Sequence, residues 1–159
     1  MRLLCDAMLA GLARWLRAAG YDTALVPPGA SDARVLGLCG EEHRVLVSRD
    51  RTLVAHAGRE IRTVLLTGDD LTGHARTLAA RLGLDWTYAP FTRCMVDNTP
   101  LRAAASDELD QIPPRSRALP GPFRTCPACG RVFWPGSHAR RMMARLQYWR
   151  SLGEPAQPP

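Results

Sequence analysis

The 159-residue chain contains no lysine; all 21 of its basic residues are arginine. That absence excludes a phosphoryl-accepting receiver domain, which places acids after its strands but needs a lysine to pair with the phosphoryl group. Long apolar runs are missing as well: Met8–Ala13 ends at Arg14, well short of the ~18 residues that span a bilayer. Asp6 and Arg14 interrupt the only candidate hydrophobic region at the N-terminus, so neither a membrane anchor nor a signal peptide is expected. Acids are absent from Gln111 to Gly153, a stretch that holds eight arginines. Five cysteines, an odd number, give little basis for a disulfide framework, and the expected compartment is a reducing cytoplasm.

What is present suits an ordinary folded chain. Hydrophobic residues make up 46% and charged residues 23%, enough to bury a core. The net charge of +6 is uneven: residues 1–92 carry 11 Arg against 10 acids, and residues 93–159 carry 10 against 5. The positive charge therefore belongs to the C-terminal part, as expected of a polyanion-binding surface, although an Arg-rich solubilising surface would read the same way.

Residues 1–92 alternate short apolar runs with helical periodicity. Arg2–Cys5, Thr23–Val26, Val45–Ser48 and Ile61–Thr67 read as strands. Helices are expected around Leu9, Leu12 and Leu16, from Ser31 to about Cys39, over Arg51–Arg59, and over Leu71–Leu82 ending at Gly83. Strands alternating with helices of this length imply a three-layer αβα unit around a parallel sheet. From about Thr92 the prolines at 113, 114, 120 and 122 cannot continue such a sheet. A second module is expected over 93–152, ending in a basic helix with Met142, Leu146 and Trp149 on one side and His138, Arg141, Arg145 and Tyr148 on another. Residues 153–159 read as a tail.

Ligands of an open parallel sheet bind outside the carboxyl ends of its strands. Asp6 follows the first strand, Asp50 the third, and Asp69 or Asp70 the fourth; Asp32 starts the second helix on the same side. Carboxylates gathered on one edge repel one another unless a cation sits between them, and hard oxygen ligands suit Mg²⁺ or Mn²⁺. Such a site can activate water against phosphate. Asp70 and Asp32 also suit helix N-termini. Arg14 and Arg49, near the same edge, are candidates for holding phosphate.

Cys126-Pro-Ala-Cys129-Gly130 is a metal-binding knuckle, and Cys94 is followed by Asp97 at the same spacing. Three thiolates and one carboxylate make a tetrahedral zinc set; His138 is an alternative fourth ligand. Zinc would supply folding energy that this Pro-rich segment lacks. Cys5 and Cys39 read as core residues.

These residues carry a family resemblance. Cys5-Asp6-Ala-Met-Leu-Ala-Gly-Leu-Ala-Arg-Trp-Leu-Arg17, Gly20-Tyr-Asp22, Val45-Leu-Val-Ser-Arg-Asp-Arg51, Arg93-Cys94 and Cys126-Pro-Ala-Cys-Gly-Arg-Val-Phe-Trp-Pro-Gly-Ser-His138 resemble the Mut-seven C-terminal ribonuclease domain over about residues 3–143. The resemblance implies a PIN-like nuclease fold joined to a zinc ribbon, and a metal-dependent ribonuclease whose acids include Asp6 and Asp50, with Asp32 as the helix-start acid. Asp97 departs from the family pattern, which places a cysteine there. The expected partner is RNA, bound through Arg131, His138, Arg141 and Arg145 as well as Arg14 and Arg49, and hydrolysed with Asp32 and Asp69 as helpers. A non-catalytic RNA-binding module and a toxin-like nuclease controlled by a partner are the alternatives.

Overall fold

A computed structural model describes residues 1–153; the expected tail beyond Gly153 lies outside the described residues. The chain begins with β1 (Arg2–Cys5), a 3-10 turn over Ala7–Leu9 and α1 (Ala10–Ala18). It continues through β2 (Asp22–Leu25), α2 (Asp32–Glu41), β3 (Val45–Ser48), α3 (Arg51–His56), β4 (Thr63–Leu65) and α4 (Leu71–Leu82). The four strands form one parallel sheet in the order β2-β1-β3-β4. β3 lies beside β1 on the side away from β2, so the chain reverses direction across the sheet between β1 and β3. That switch point is where open parallel sheets bind their ligands.

Pleating sorts the core into two layers. Leu3, Cys5, Val45, Val47 and Val64 face α1 and α4, packing with Leu12, Leu16, Leu78 and Leu82. Leu4 and Leu46 face the other way, onto Val35 and Cys39 of α2 and Leu53 of α3. Strands buried on both faces explain why the sequence shows continuous apolar runs rather than alternation. Two elements are shorter than their patterns suggest: α3 stops at His56, ahead of a turn with Gly58 at φ 63°, and β4 pairs over only three residues.

The second half adds β5 (Arg102–Ala103), a 3-10 turn (Asp107–Gln111), α5 (Pro114–Arg117), β6 (Arg124–Thr125) and β7 (Val132–Phe133). β5, β6 and β7 make a small antiparallel sheet. Strands of two residues bury too little to be stable alone. The last helix, α6 (Ser137–Gly153), buries Met142, Leu146 and Trp149, as its periodicity predicts. Leu146 and Trp149 join the α1/α4 layer, where Trp149 packs edge-on against Trp15 and Trp86 at centroid distances of 4.9 and 4.8 Å. The helix that the sequence groups with the ribbon thus completes the core of the first half. Among the described residues no helix is long and apolar enough to cross a membrane.

Candidate active site and metal centre

The parallel ladder runs one residue past β1: Asp6 N–H donates to the Val47 carbonyl at 3.1 Å, fixing the acid beside the end of β3. Ser48, fully buried, ends β3. Its hydroxyl donates to Asp6 Oδ2 at 2.8 Å and accepts the Asp50 N–H at 2.9 Å. Asp6 and Asp50 are therefore joined through one small side chain at the switch point. Asp50 is exposed and caps α3, its Oδ1 accepting the N–H groups of Thr52 (2.8 Å) and Leu53 (3.1 Å). The sequence signals Asp50 but not its capping duty or Ser48; the motif Ser48-Arg-Asp50 contains both, because a hydroxyl two residues before an acid can turn back on the following N–H.

The other acids of this edge have partners of their own. Ser31 caps α2 and leaves Asp32 exposed in the first turn, 3.3 Å from His56 Nδ1. Asp69, 85% exposed, is ion-paired with Arg49, so that guanidinium already has an anionic partner. Asp70 caps α4 through Thr72 and Gly73 N–H groups at 3.1 and 2.8 Å. Arg14 is exposed on α1. Among the described residues, no three ligating side chains at this edge approach one another as closely as a metal shell requires. The two thiols of the first half are buried, and burial pushes Cys5 up to about 12 and Cys39 to about 11, which suits core residues rather than nucleophiles.

The closest set of ligating groups lies in the second half. Ligand atoms of Cys94, Asp97, Cys126 and Cys129 all fall within 4.8 Å of one another, and His138 is not among them. Two matching turns bring them there. Asn98 N–H donates to the Cys94 carbonyl at 3.0 Å and Gly130 N–H to the Cys126 carbonyl at 2.9 Å, with φ of 72° at Asn98 and 70° at Gly130. Asparagine and glycine are the residues that reach this left-handed region most readily. Cys94 Sγ lies 3.8 Å from Cys129 Sγ, and Cys126 Sγ lies 3.3 and 3.4 Å from the two Asp97 oxygens. A tetrahedron with Zn–S of about 2.3 Å and Zn–O of about 2.1 Å has edges of about 3.8 and 3.6 Å. The donor set fits zinc. Burial raises the Cys94 thiol; at Asp97 burial opposes the charge, but hydrogen bonds from Cys129, Thr99 and Cys126 outweigh it and hold the carboxyl well below its usual range.

A buried polar joint ties this centre to the sheet. Arg17, 5% exposed, donates to the carbonyls of Thr23 (2.8 Å), Val96 (2.7 Å) and Met95 (3.2 Å). Asp22, at the start of β2, accepts from Arg44 at 2.7 Å and from Asn98 Nδ2 at 2.8 Å, while Asn98 Oδ1 accepts the Thr23 N–H at 2.9 Å. Arg17 and Asp22 stand in the sequence motifs, but their role as clamps is visible only once residues ~75 positions apart meet.

Arg131, His138, Arg141 and Arg145 are all exposed. On α6 the last three lie along one exposed stripe beside the buried residues Met142, Leu146 and Trp149, and the Arg145 guanidinium lies 5.2 Å from the centroid of the Trp149 ring.

Neither a curated protein nor a solved structure matches the chain. The family described as "Mut7-C RNAse domain" matches residues 1–146, nearly the whole described chain. With the motifs, the parallel sheet and the cysteine centre in agreement, the chain belongs to the Mut7-C RNAse domain family, a membership that supports a nuclease-type enzyme.

Proposed function

We propose that the protein is a metal-dependent ribonuclease that hydrolyses RNA phosphodiester bonds at the Asp6–Ser48–Asp50 edge. The observation that carries this reading is the Ser48 hydroxyl, which joins the Asp6 carboxylate to the Asp50 backbone N–H at the switch point of a parallel sheet. The donors fit a hard cation: Asp50 spends only Oδ1 on its helix cap, and Asp6 spends Oδ2 on Ser48. Asp6 and Asp50 would hold Mg²⁺ or Mn²⁺, which supplies Lewis acidity and a lowered pKa for bound water. Ser48 orients Asp6, and the first turn of α3 fixes Asp50. Asp32 and Asp69 are helpers at the rim; Arg14 holds phosphate, and Arg49 does so if it leaves Asp69. Cys94, Asp97, Cys126 and Cys129 hold a structural zinc, for which a reducing cytoplasm is the suitable compartment. Residues 1–92 form the PIN-like nuclease unit and 93–152 the zinc ribbon with the basic helix, whose apolar side completes the nuclease core.

Cleavage of labelled RNA with added Mn²⁺, and its absence without divalent metal, supports this proposal. Binding without cleavage under all metal conditions would favour a non-catalytic RNA-binding module, a reading that the capping duty of Asp50 makes worth testing.

A further inference from the structure

Between the small sheet and α6 lies an open cleft of about 690 Å³, a volume that accommodates a nucleoside-sized ligand. Its apolar walls include Phe91, Phe133, Trp134 and Met142. Its polar members include Arg124, Arg140 and His138, and no acid lines it. We infer that this cleft is a stacking site for an unpaired base of single-stranded RNA, with the arginines on the flanking phosphates; the inference rests on the RNA reading above and adds the strandedness of the substrate. Aromatic walls beside cationic groups are the combination by which proteins hold single strands without reading sequence. Without an acid in the lining nothing there repels phosphate, and bases paired in a duplex are not free to enter a cleft.

Trp134 is positioned for this task. A Cβ on Gly136 would come within 2.9 Å of Trp134 Nε1 and 3.2 Å of Cδ1, so the indole lies directly on the glycine. The Gly136 N–H donates back to the Trp134 carbonyl at 2.8 Å, holding the turn. The other three tryptophans form the packed group in the core, with Trp86 and Trp149 fully buried. The Phe91 N–H donates to the Ala18 carbonyl at the end of α1, whereas Asp6 precedes its start. The cleft therefore adjoins the end of α1 opposite the one that Asp6 precedes, and the nine residues of α1 span about 14 Å.

The test uses zinc-loaded full-length protein carrying Asp6→Asn, without added Mg²⁺ or Mn²⁺, so that binding is read apart from cleavage. Probes are a ten-nucleotide uridylate strand, an abasic strand of the same length and an RNA duplex. The uridylate strand should quench tryptophan emission, and the duplex and abasic strands should not. Trp134→Leu should abolish the quench and weaken uridylate binding about tenfold or more while leaving abasic binding unchanged. Should Trp134→Leu lose zinc or helicity, Arg124→Gln with Arg140→Gln serves instead, and weaker strand binding with the quench retained is expected. Equal affinity of Trp134→Leu and parent for uridylate would overturn the inference, as would self-association that depends on Trp134 while RNA affinity does not. Absence of Mn²⁺-dependent cleavage by the wild-type protein, with base-dependent binding intact, would refute the nuclease reading alone.

Discussion

Replacing Asp22 by asparagine should loosen the joint between the sheet and the metal centre. The carboxylate lies 2.7 Å from Arg44, 3.4 Å from Arg2 and 3.9 Å from Arg93, and accepts from Asn98 at 2.8 Å. Burial opposes its charge, but the bonds from Arg44 and Asn98, with the fields of Arg44 and Arg93, hold its pKa below the ordinary 3.8. Asparagine keeps one acceptor and turns an amide toward Arg2 and Arg93, where two donors then face each other. Stranding a buried charge costs about 3–5 kcal/mol. Arg44 is not fully stranded, because Glu42 accepts at 2.7 Å and the Leu3 carbonyl at 3.1 Å, so about 2 kcal/mol at pH 7 is the expected loss. For a chain of this size that corresponds to a fall in Tm of about 4–8 °C. The pH dependence fixes the mechanism. A carboxyl whose folded pKa is depressed contributes stability that is fully present above its unfolded pKa and lost as pH falls through the folded one. In paired urea titrations the gap between wild type and Asp22→Asn should be constant from pH 7 to 5 and close below about pH 4. A gap below about 0.5 kcal/mol at pH 7, or one of equal size at pH 3, would show that the carboxylate's charge does not hold the joint.

Three further outcomes follow from the geometry. Elemental analysis should find one zinc per chain, lost in Cys126→Ser and held more tightly in Asp97→Cys, since a thiolate is the softer ligand; metal-free protein with the segment ordered would assign its stability to packing alone. Replacing Arg141 and Arg145 with glutamine should flatten the log–log salt dependence of RNA binding by about one to two units, measured by titration at several ionic strengths; an unchanged slope would make this face a solubilising surface. Gly20→Ala should be strongly destabilising in thermal melts, because φ is 99° and the new Cβ would lie 2.3 Å from the Ala89 carbonyl oxygen; a Tm within a degree of wild type would contradict this.

The sheet was legible because strands buried on both faces leave unmistakable apolar runs, and acids that abut them, Asp6 and Asp50, stand out. The α6 stripe of Met142, Leu146 and Trp149 was equally plain. The first knuckle was readable because Cys94 and Asp97 repeat the spacing of Cys126 and Cys129, and the geometry then distinguishes Asp97 from His138. What stayed hidden depends on contacts distant in sequence. Nothing near Asp69 announces Arg49, nothing near Asp32 announces His56, and Ser48 is ordinary until Asp6 is beside it. The cleft was hidden for the same reason, since Phe91 and Met142 meet Trp134 only after α6 docks.

The measurement that bears most directly on the account is the Mn²⁺-dependent cleavage rate of labelled RNA by zinc-loaded wild type and Asp50→Asn, with matched melts. Asparagine is as good an N-cap as aspartate, so α3 and the fold should survive. The account predicts unchanged Tm, near-normal RNA affinity and a rate lower by about a hundredfold or more. Cleavage at the wild-type rate by folded Asp50→Asn would contradict it.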